Sequence, residues 1–259
     1  MSDIDSLMEK CPLKQEIRAT LWLRFLRKVA DGKPLKSYLT LYSPPLMDVK
    51  WLVEKGLIEF SEGRYVGAVG VALKAKAQKT AQTGLSGRLD LFLNGDINQL
   101  LEKAGVDKGE KKQLAERFPF QAINLDYCDP LFAAGVAGEL SPHIKGIESL
   151  IRRQNDAGGN EFVLLITTRL EKICYSDRFL KELETRLAGN LTEVPGFRDA
   201  FVKQFSTDSS SSFAADNYED FFIVALSKFL TKVLEANSYQ GKSYSAYTLT
   251  RDDGDNDKL

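Results

Sequence analysis

The residue types best suited to chemistry in this chain are concentrated at the end of one predicted strand, the fourth. That strand ends in Asp126, and Asp129-Pro130 follows it, with Tyr127 and Phe132 close by in the sequence. A carboxylate here could accept a hydrogen bond from an attacking amine while a neighbouring ring stacks on a planar substrate. Asp126 and Asp129 compete for this role, and an Asp-Pro pair is also a common turn former.

Two other segments follow predicted strands and could contact a ligand. Ser43 lies in the turn after the first strand, and Gly95, Asp96 and Ile97 follow the third. Ligands of open parallel sheets bind beyond the carboxyl ends of the strands, so these segments would face the same crevice as Asp126. Asp96 is equally suited to act as the N-cap of the next helix.

The composition excludes several kinds of site. His143 is the single histidine, so neither a two-histidine nor a three-histidine metal site can exist, and we predict no metal site. The three cysteines, Cys11, Cys128 and Cys174, are widely spaced and contain no C-x-x-C pair. The chain also lacks the G-x-x-x-x-G-K pattern of nucleoside triphosphatases. Hydrolytic triads and dithiol chemistry are disfavoured, whereas a displacement reaction needs none of these groups.

Short β-favouring runs alternate with segments of helical periodicity, and together they would position these residues. We predict strands over 38–42, 65–73, 89–93, 121–125 and 161–167. Helices are expected over 12–32, 46–56, 74–82, 96–101, 144–156, 177–187 and 218–236. The stretch 105–116 is expected to be a loop or a short surface helix, the serine-rich stretch 206–216 a mobile loop, and 243–250 a last β segment.

This alternation predicts an α/β fold with a doubly wound, mainly parallel sheet and helices on both faces. Residues 1–36 would form an N-terminal helical extension, and 37–250 one Rossmann-like domain with a helical insertion at about 189–237. Residues 251–259 read as a disordered acidic tail.

The layout resembles the class I S-adenosylmethionine-dependent methyltransferases over roughly residues 37–169. Gly95-Asp96-Ile97 is similar to the segment of that family beside the adenine, and 123–126 to the end of its fourth strand. Asp129-Pro130-Leu131-Phe132 is similar to the Asp-Pro-Pro-aromatic motif of amino-group methyltransferases. The resemblance implies S-adenosylmethionine as donor, bound by Ser43, Gly95, Asp96, Ile97 and Asp126, and catalysis by Asp126, Asp129, Pro130 and Phe132. The expected acceptor is an amino group of nucleic acid or another planar heterocycle.

Two segments depart from the family pattern and keep a second hypothesis open. The first turn, Ser43-Pro44-Pro45, contains no glycine and two residues without an amide donor, and Val71-Ala72-Leu73 offers no carboxylate for the ribose. These departures favour a catalytically inactive relative that serves as a binding or scaffold subunit of a larger assembly, such as a bacterial multi-gene system.

The charge pattern bears on partners and location. The chain has 35 Lys plus Arg and 36 Asp plus Glu, so only a local basic face could bind nucleic acid. A solvated helix surface would explain that face equally well. With no apolar run of about 18 residues and no secretory signal, we expect a cytoplasmic protein that does not cross a membrane. The cations that could form the face are Lys10, Lys14, Arg18, Arg24, Arg27, Lys28, Lys33, Lys36, Arg152, Arg153 and Arg169.

Overall fold

The fold is described from a computed structural model over most of the chain. The described residues are 16–41, 46–59, 64–69, 91–94, 96–102, 109–132, 141–170 and 177–241. The predicted helix over 74–82, the β segment over 243–250 and the tail over 251–259 lie outside them.

Five strands form one sheet in which every pairing is parallel. Their order in the sheet is β3-β2-β1-β4-β5, so the first strand is central and the order reverses between β1 and β4. The predicted α/β fold with a parallel sheet is therefore confirmed. The strands are β1 (Ser37–Leu41), β2 (Arg64–Val69), β3 (Leu91–Asn94), β4 (Ala122–Pro130) and β5 (Val163–Arg169).

Helices pack on both faces of this sheet. A π-helical turn, Arg18–Trp22, leads into the first helix. The described helices are α1 (Leu23–Ala30), α2 (Met47–Glu54), α3 (Ile97–Glu102), α4 (Glu110–Ala115), α5 (Pro142–Asp156), α6 (Asp177–Glu193), α7 (Phe197–Phe205), α8 (Ser210–Asp216) and α9 (Tyr218–Ala236). Of the two expectations for 105–116, the structure shows the short helix, α4.

Alternating side chains of the strands supply two separate cores. One face carries Tyr38, Tyr65 and Ala122, which pack with Leu26 of α1 and Leu52 of α2. The helix α1, which lies within the predicted N-terminal extension 1–36, thus packs directly on the sheet. The opposite face has a larger core that α3, α4, α5 and α9 cover; its members include Leu39, Ile123, Leu125, Ile147 and Phe222. Because side chains of a strand point alternately to its two faces, the strands are buried on both sides.

A third core lies among the helices after the sheet. Leu187 and Leu191 of α6 pack there with Phe201, Phe213 and Phe221. The prediction of a mobile loop over 206–216 is wrong, because this stretch contains α8. Its N-cap, Ser209, accepts a hydrogen bond from the backbone N–H of Ser212, and Phe213 is fully buried. The cap and the buried ring offset the weak helix preference of the serines.

The fourth strand is longer than expected and carries one irregularity. The prediction ended it at Leu125-Asp126, but pairing with β5 resumes after a register shift and joins Pro130 to Arg169. Asp129 and Pro130 therefore belong to the last part of β4 and not to a loop after it. The backbone beyond is held on both sides, because the Leu131 N–H donates to Thr168 Oγ1 over 2.8 Å and the Ser141 hydroxyl donates to the Leu131 carbonyl.

Candidate functional site

A buried carboxylate, Asp48, lies where the strand order reverses. It is in the first turn of α2 and accepts three side-chain hydrogen bonds at one oxygen, Oδ2. The donors are the Tyr38 hydroxyl at 3.0 Å, the Thr40 hydroxyl at 2.7 Å and the Asn124 amide at 3.2 Å. Two strands, β1 and β4, thus present their donors to one carboxylate at the reversal of strand order, and ligands of open parallel sheets bind beyond the carboxyl ends of the strands at such a reversal.

Donors surround the Asp48 carboxylate, and one nearby acceptor is left over. Its position in the first turn of α2 places the negative charge near the positive end of the helix dipole. Burial, followed by the charge of Asp48, holds the pKa of Tyr38 well above its usual value, so that hydroxyl stays a donor. The Oδ1 of Asn124 is buried, and no group among the described residues donates a hydrogen bond to it. The cluster can therefore accept one more hydrogen bond.

A second polar network lies on the opposite face of the sheet, where it joins the segment after β3 to β4 and α5. Asp96 Oδ1 accepts hydrogen bonds from the backbone N–H and the side-chain amide of Asn98, each over 2.9 Å. That amide also lies 2.8 Å from Nδ1 of His143, and the Tyr127 hydroxyl donates to the Asn98 Oδ1 over 3.0 Å. Asn98 thus joins an exposed carboxylate to a buried phenol and the single histidine.

The network constrains the state of both rings. Because the Asn98 amide nitrogen is the donor, Nδ1 of His143 accepts and the proton of the neutral imidazole is on Nε2. The rings of Tyr127 and His143 lie 4.3 Å apart between centroids, tilted by 41°. Burial, with a further contribution from the charge of Asp96, raises the pKa of Tyr127 far above its usual value. Tyr127 is therefore a neutral hydrogen-bond donor at physiological pH.

The structure does not bring the predicted site residues together as one group. Ile97 is buried in the core, and Pro130 is buried at the end of β4. Phe132 packs in the core against Phe222 and Phe229, with ring centroids at 4.9 and 6.4 Å. This packing gives the Phe132 ring a structural role in place of a stacking surface for a substrate. Asp126 is half-buried opposite Thr167 of β5.

Three of the predicted site residues are not placed in full. Ser43 and Gly95 lie outside the described residues. For Asp129 the structure gives the backbone, in β4, and not the side chain. Asp96 is exposed just before α3, where its carboxylate caps that helix through Asn98. Of the two expectations for Asp96, the helix cap is confirmed and the ligand contact stays a prediction.

A comparison with protein families places the chain. A family model described as PP_RS20740-like matches residues 10–257. The chain belongs to the PP_RS20740-like family. No curated protein and no solved structure matches the chain. Among its described residues, no helix has the length and apolar character needed to cross a membrane.

Sequence reasoning missed Asp48, Asn124 and Asn98. One signal for Asp48 was present, because it precedes Leu52 by four residues and so lies on the apolar face of its predicted helix. A carboxylate on that face, one turn after a strand, must be paired if it is buried. For Asn124 the signal was an amide within the apolar run Ala122–Leu125.

Proposed function

We propose that the chain binds S-adenosylmethionine at the carboxyl edge of its sheet and transfers the methyl group to an amino group of a planar heterocycle. The observation that carries the proposal is the buried carboxylate of Asp48 at the strand-order reversal. In open parallel sheets a ligand binds beyond the carboxyl ends of the strands where the strand order reverses, which in this sheet is between β1 and β4. The charge of Asp48 then selects the class of ligand that fits there.

The sign of that charge separates two classes of ligand. Dinucleotides bring a pyrophosphate to the turn after the first strand, where backbone N–H groups receive it. Asp48, buried in the first turn of α2, would repel a pyrophosphate, with a strength that burial increases. A ligand with an ammonium and a sulfonium group is attracted instead, and the open acceptor of Asn124 suits an N–H donor. Asp48 and Asn124 thus support S-adenosylmethionine over a dinucleotide.

Methyl transfer requires little acid–base catalysis from the protein. The amine nitrogen forms a bond to the methyl carbon, the carbon–sulfur bond breaks with its electron pair going to sulfur, and the amine then loses a proton. The protein must align the two partners and accept hydrogen bonds from the amine. Asp126, just before the register shift in β4 and on the face that carries Asn124, is our candidate acceptor, and Asp129 remains the alternative. Asp96 is our candidate contact for the nucleoside.

Calorimetric titration with S-adenosylhomocysteine and, in parallel, NAD⁺ tests this proposal. We expect micromolar binding of the former and no heat from the latter. Asp96→Asn keeps the oxygen that caps α3 and removes the charge, so it should weaken binding at least tenfold with the melting temperature unchanged. Glu116→Gln, at an exposed carboxylate after α4, is the matched control and should bind as the parent does. Absence of heat at millimolar S-adenosylhomocysteine, or binding of NAD⁺ alone, would overturn the proposal.

The second candidate function is that of a binding or scaffold subunit. It is favoured by the use of Asp96 as a helix cap and by the use of Phe132 as a core residue. A scaffold would give no heat with S-adenosylhomocysteine and would lose nothing on Asp96→Asn. For either function we propose a cytoplasmic location, where widely spaced cysteines stay reduced.

A further inference from the structure

We infer that one side of α1 and the segment after it form a binding surface for the phosphodiester backbone of nucleic acid. The surface, called the basic face here, consists of Arg24, Arg27 and Lys28 of α1 with Lys33 and Lys36 beyond it. All five side chains are exposed. The inference does not depend on the donor site, because it concerns another surface and a partner that binds without a donor.

The helix geometry groups the three cations of α1. With 3.6 residues per turn, Arg24, Arg27 and Lys28 fall within an arc of about 100°. Leu26 and Ala30 lie on the other side of the helix, where they are buried against the sheet. The cations therefore face outward together, about one helical turn apart.

None of these five cations is neutralised within the part of the chain that the structure describes. The ion pairs among those residues involve other cations, at Lys55, Lys112, Arg186 and Arg198. The stretch 16–36 contains two carboxylates, Glu16 and Asp31, against six cations. The whole chain carries a formal charge of −1, so this positive charge is segregated and not general. Arg27 and Lys28 also suit the C-terminal helix dipole, but Arg24, Lys33 and Lys36 have no such structural reason.

The packing of α1 favours one of two polyanionic partners, nucleic acid, over the other, a lipid membrane. A membrane-binding amphipathic helix inserts its apolar side among the lipids. In this chain that side is used by the fold, since Leu26 is fully buried in the core with Tyr38. Only the charged side is available, which suits a partner that is bound through its phosphates alone. Nucleic acid is such a partner, and its binding is recognised by its dependence on salt.

Fluorescence anisotropy with labelled single-stranded RNA, single-stranded DNA and duplex DNA, in the absence of any methyl donor, tests the inference. Neutralising about three phosphates gives a slope of log K against log salt of roughly −2 to −3. The triple variant Arg24→Ala, Arg27→Ala, Lys28→Ala should bind at least tenfold more weakly, with a slope nearer zero by about 2. The matched control removes three exposed lysines of other helices, Lys181→Ala, Lys203→Ala and Lys232→Ala, and should bind as the parent does.

The three nucleic acids identify which backbone is preferred, and binding of any of them through the basic face supports the inference. An equal loss of affinity in both triple variants would mean that the attraction depends on overall charge and not on the basic face, and it would overturn the inference. Binding to phosphatidylserine vesicles with none to the oligonucleotides would overturn it in favour of a lipid surface. Because no donor is present, failure here leaves the S-adenosylhomocysteine titration unaffected, and the reverse also holds.

Discussion

Gly146 of α5 lies so close to Asn98 of α3 that a Cβ on the glycine would be 2.5 Å from the Asn98 Oδ1 and 3.2 Å from the Asn98 Cα. The missing side chain allows the two helices to touch at the residue that links Asp96, Tyr127 and His143. A glycine inside a helix normally costs stability, so its presence here reflects the space that Asn98 occupies.

Gly146→Ala should therefore destabilise the protein by about 1 to 3 kcal/mol, because the methyl group must displace the Asn98 amide or move α5. The measurement is the free energy of unfolding in urea. Gly189→Ala is the matched control: this glycine is inside α6, and a Cβ there would meet no atom within 4 Å. It should stabilise the protein by roughly 0.5 to 1 kcal/mol. Equal effects of the two changes would contradict the packing described for Gly146.

Removal of the Asp48 carboxylate should cost more than removal of the Asp96 carboxylate. Asp48→Ala leaves the donors of Tyr38, Thr40 and Asn124 without their shared acceptor in a buried place, with an expected loss of about 3 to 5 kcal/mol. Asp96→Ala removes an exposed helix cap and should cost about 1 kcal/mol. Urea midpoints of the two variants give the comparison, and a loss for Asp48→Ala as small as that for Asp96→Ala would show that Asp48 is not a structural centre.

Two buried tyrosines should make the protein sensitive to alkali. Burial, then the nearby carboxylates Asp48 and Asp96 respectively, raises the pKa of Tyr38 and Tyr127 above the ordinary value of 10.0. Above about pH 10 the unfolded chain loses these protons while the folded protein keeps them, so the free energy of unfolding falls as the pH rises. For each tyrosine the slope should be about 0.7 kcal/mol per pH unit at pH 10 and approach about 1.4 kcal/mol per pH unit above about pH 11.

Tyr127→Phe isolates one of the two contributions. Between about pH 9 and about pH 11 the free energy of unfolding in urea should fall by about 1.4 kcal/mol less in the variant than in the parent, because the unfolded tyrosine passes from mostly protonated to mostly ionised in this range. Absorbance of tyrosinate in the folded protein offers an independent check. A parent protein whose stability is flat across this range would contradict the burial of both phenols.

The helices after the sheet should respond as a local unit to loss of one ring. Phe213 is fully buried among Phe201, Phe205 and Phe221, with centroid distances of 4.8, 4.6 and 6.2 Å. Phe213→Ala should cost about 3 to 5 kcal/mol and speed amide exchange in α7 and α8 before it does so in β1 and β4. Val202→Ala, at an exposed position of α7, should change stability by no more than about 0.5 kcal/mol. Uniform exchange across the chain after Phe213→Ala would argue against a separate unit.

The α/β fold could be predicted from the sequence because its signals are local. Runs such as Phe162–Ile166 are apolar on both faces, which is typical of a strand inside a parallel sheet. The N-cap Ser141 with Pro142 marks the start of α5, which is two residues earlier than the predicted helix. The length of β4 was missed because its last pairing follows a register shift, which composition does not reveal.

The candidate site was harder to predict because its key contacts are distant in sequence. Asp48 is hydrogen-bonded to Asn124, 76 residues further along, so no local pattern identifies the carboxylate as buried and paired. Phe132 looks like a stacking residue until α9 brings Phe222 against it. The serine-rich start of α8 is typical of a loop when the sequence is considered alone. The segment is helical because Phe213 is buried against rings of α7 and α9, and these contacts are not visible in the local sequence.

The central place of β1 has a consequence for synthesis of the chain. Tyr38 and Thr40 leave the ribosome well before β4, the strand that pairs with β1 and carries Asn124. Thr40 and Asn124, whose side chains meet in the finished protein, are separated by 84 residues. While translation proceeds between them, Asp48 has only the hydroxyls of its own neighbourhood as donors. The centre of the sheet is therefore completed only after the 84 residues from Thr40 to Asn124 have been made.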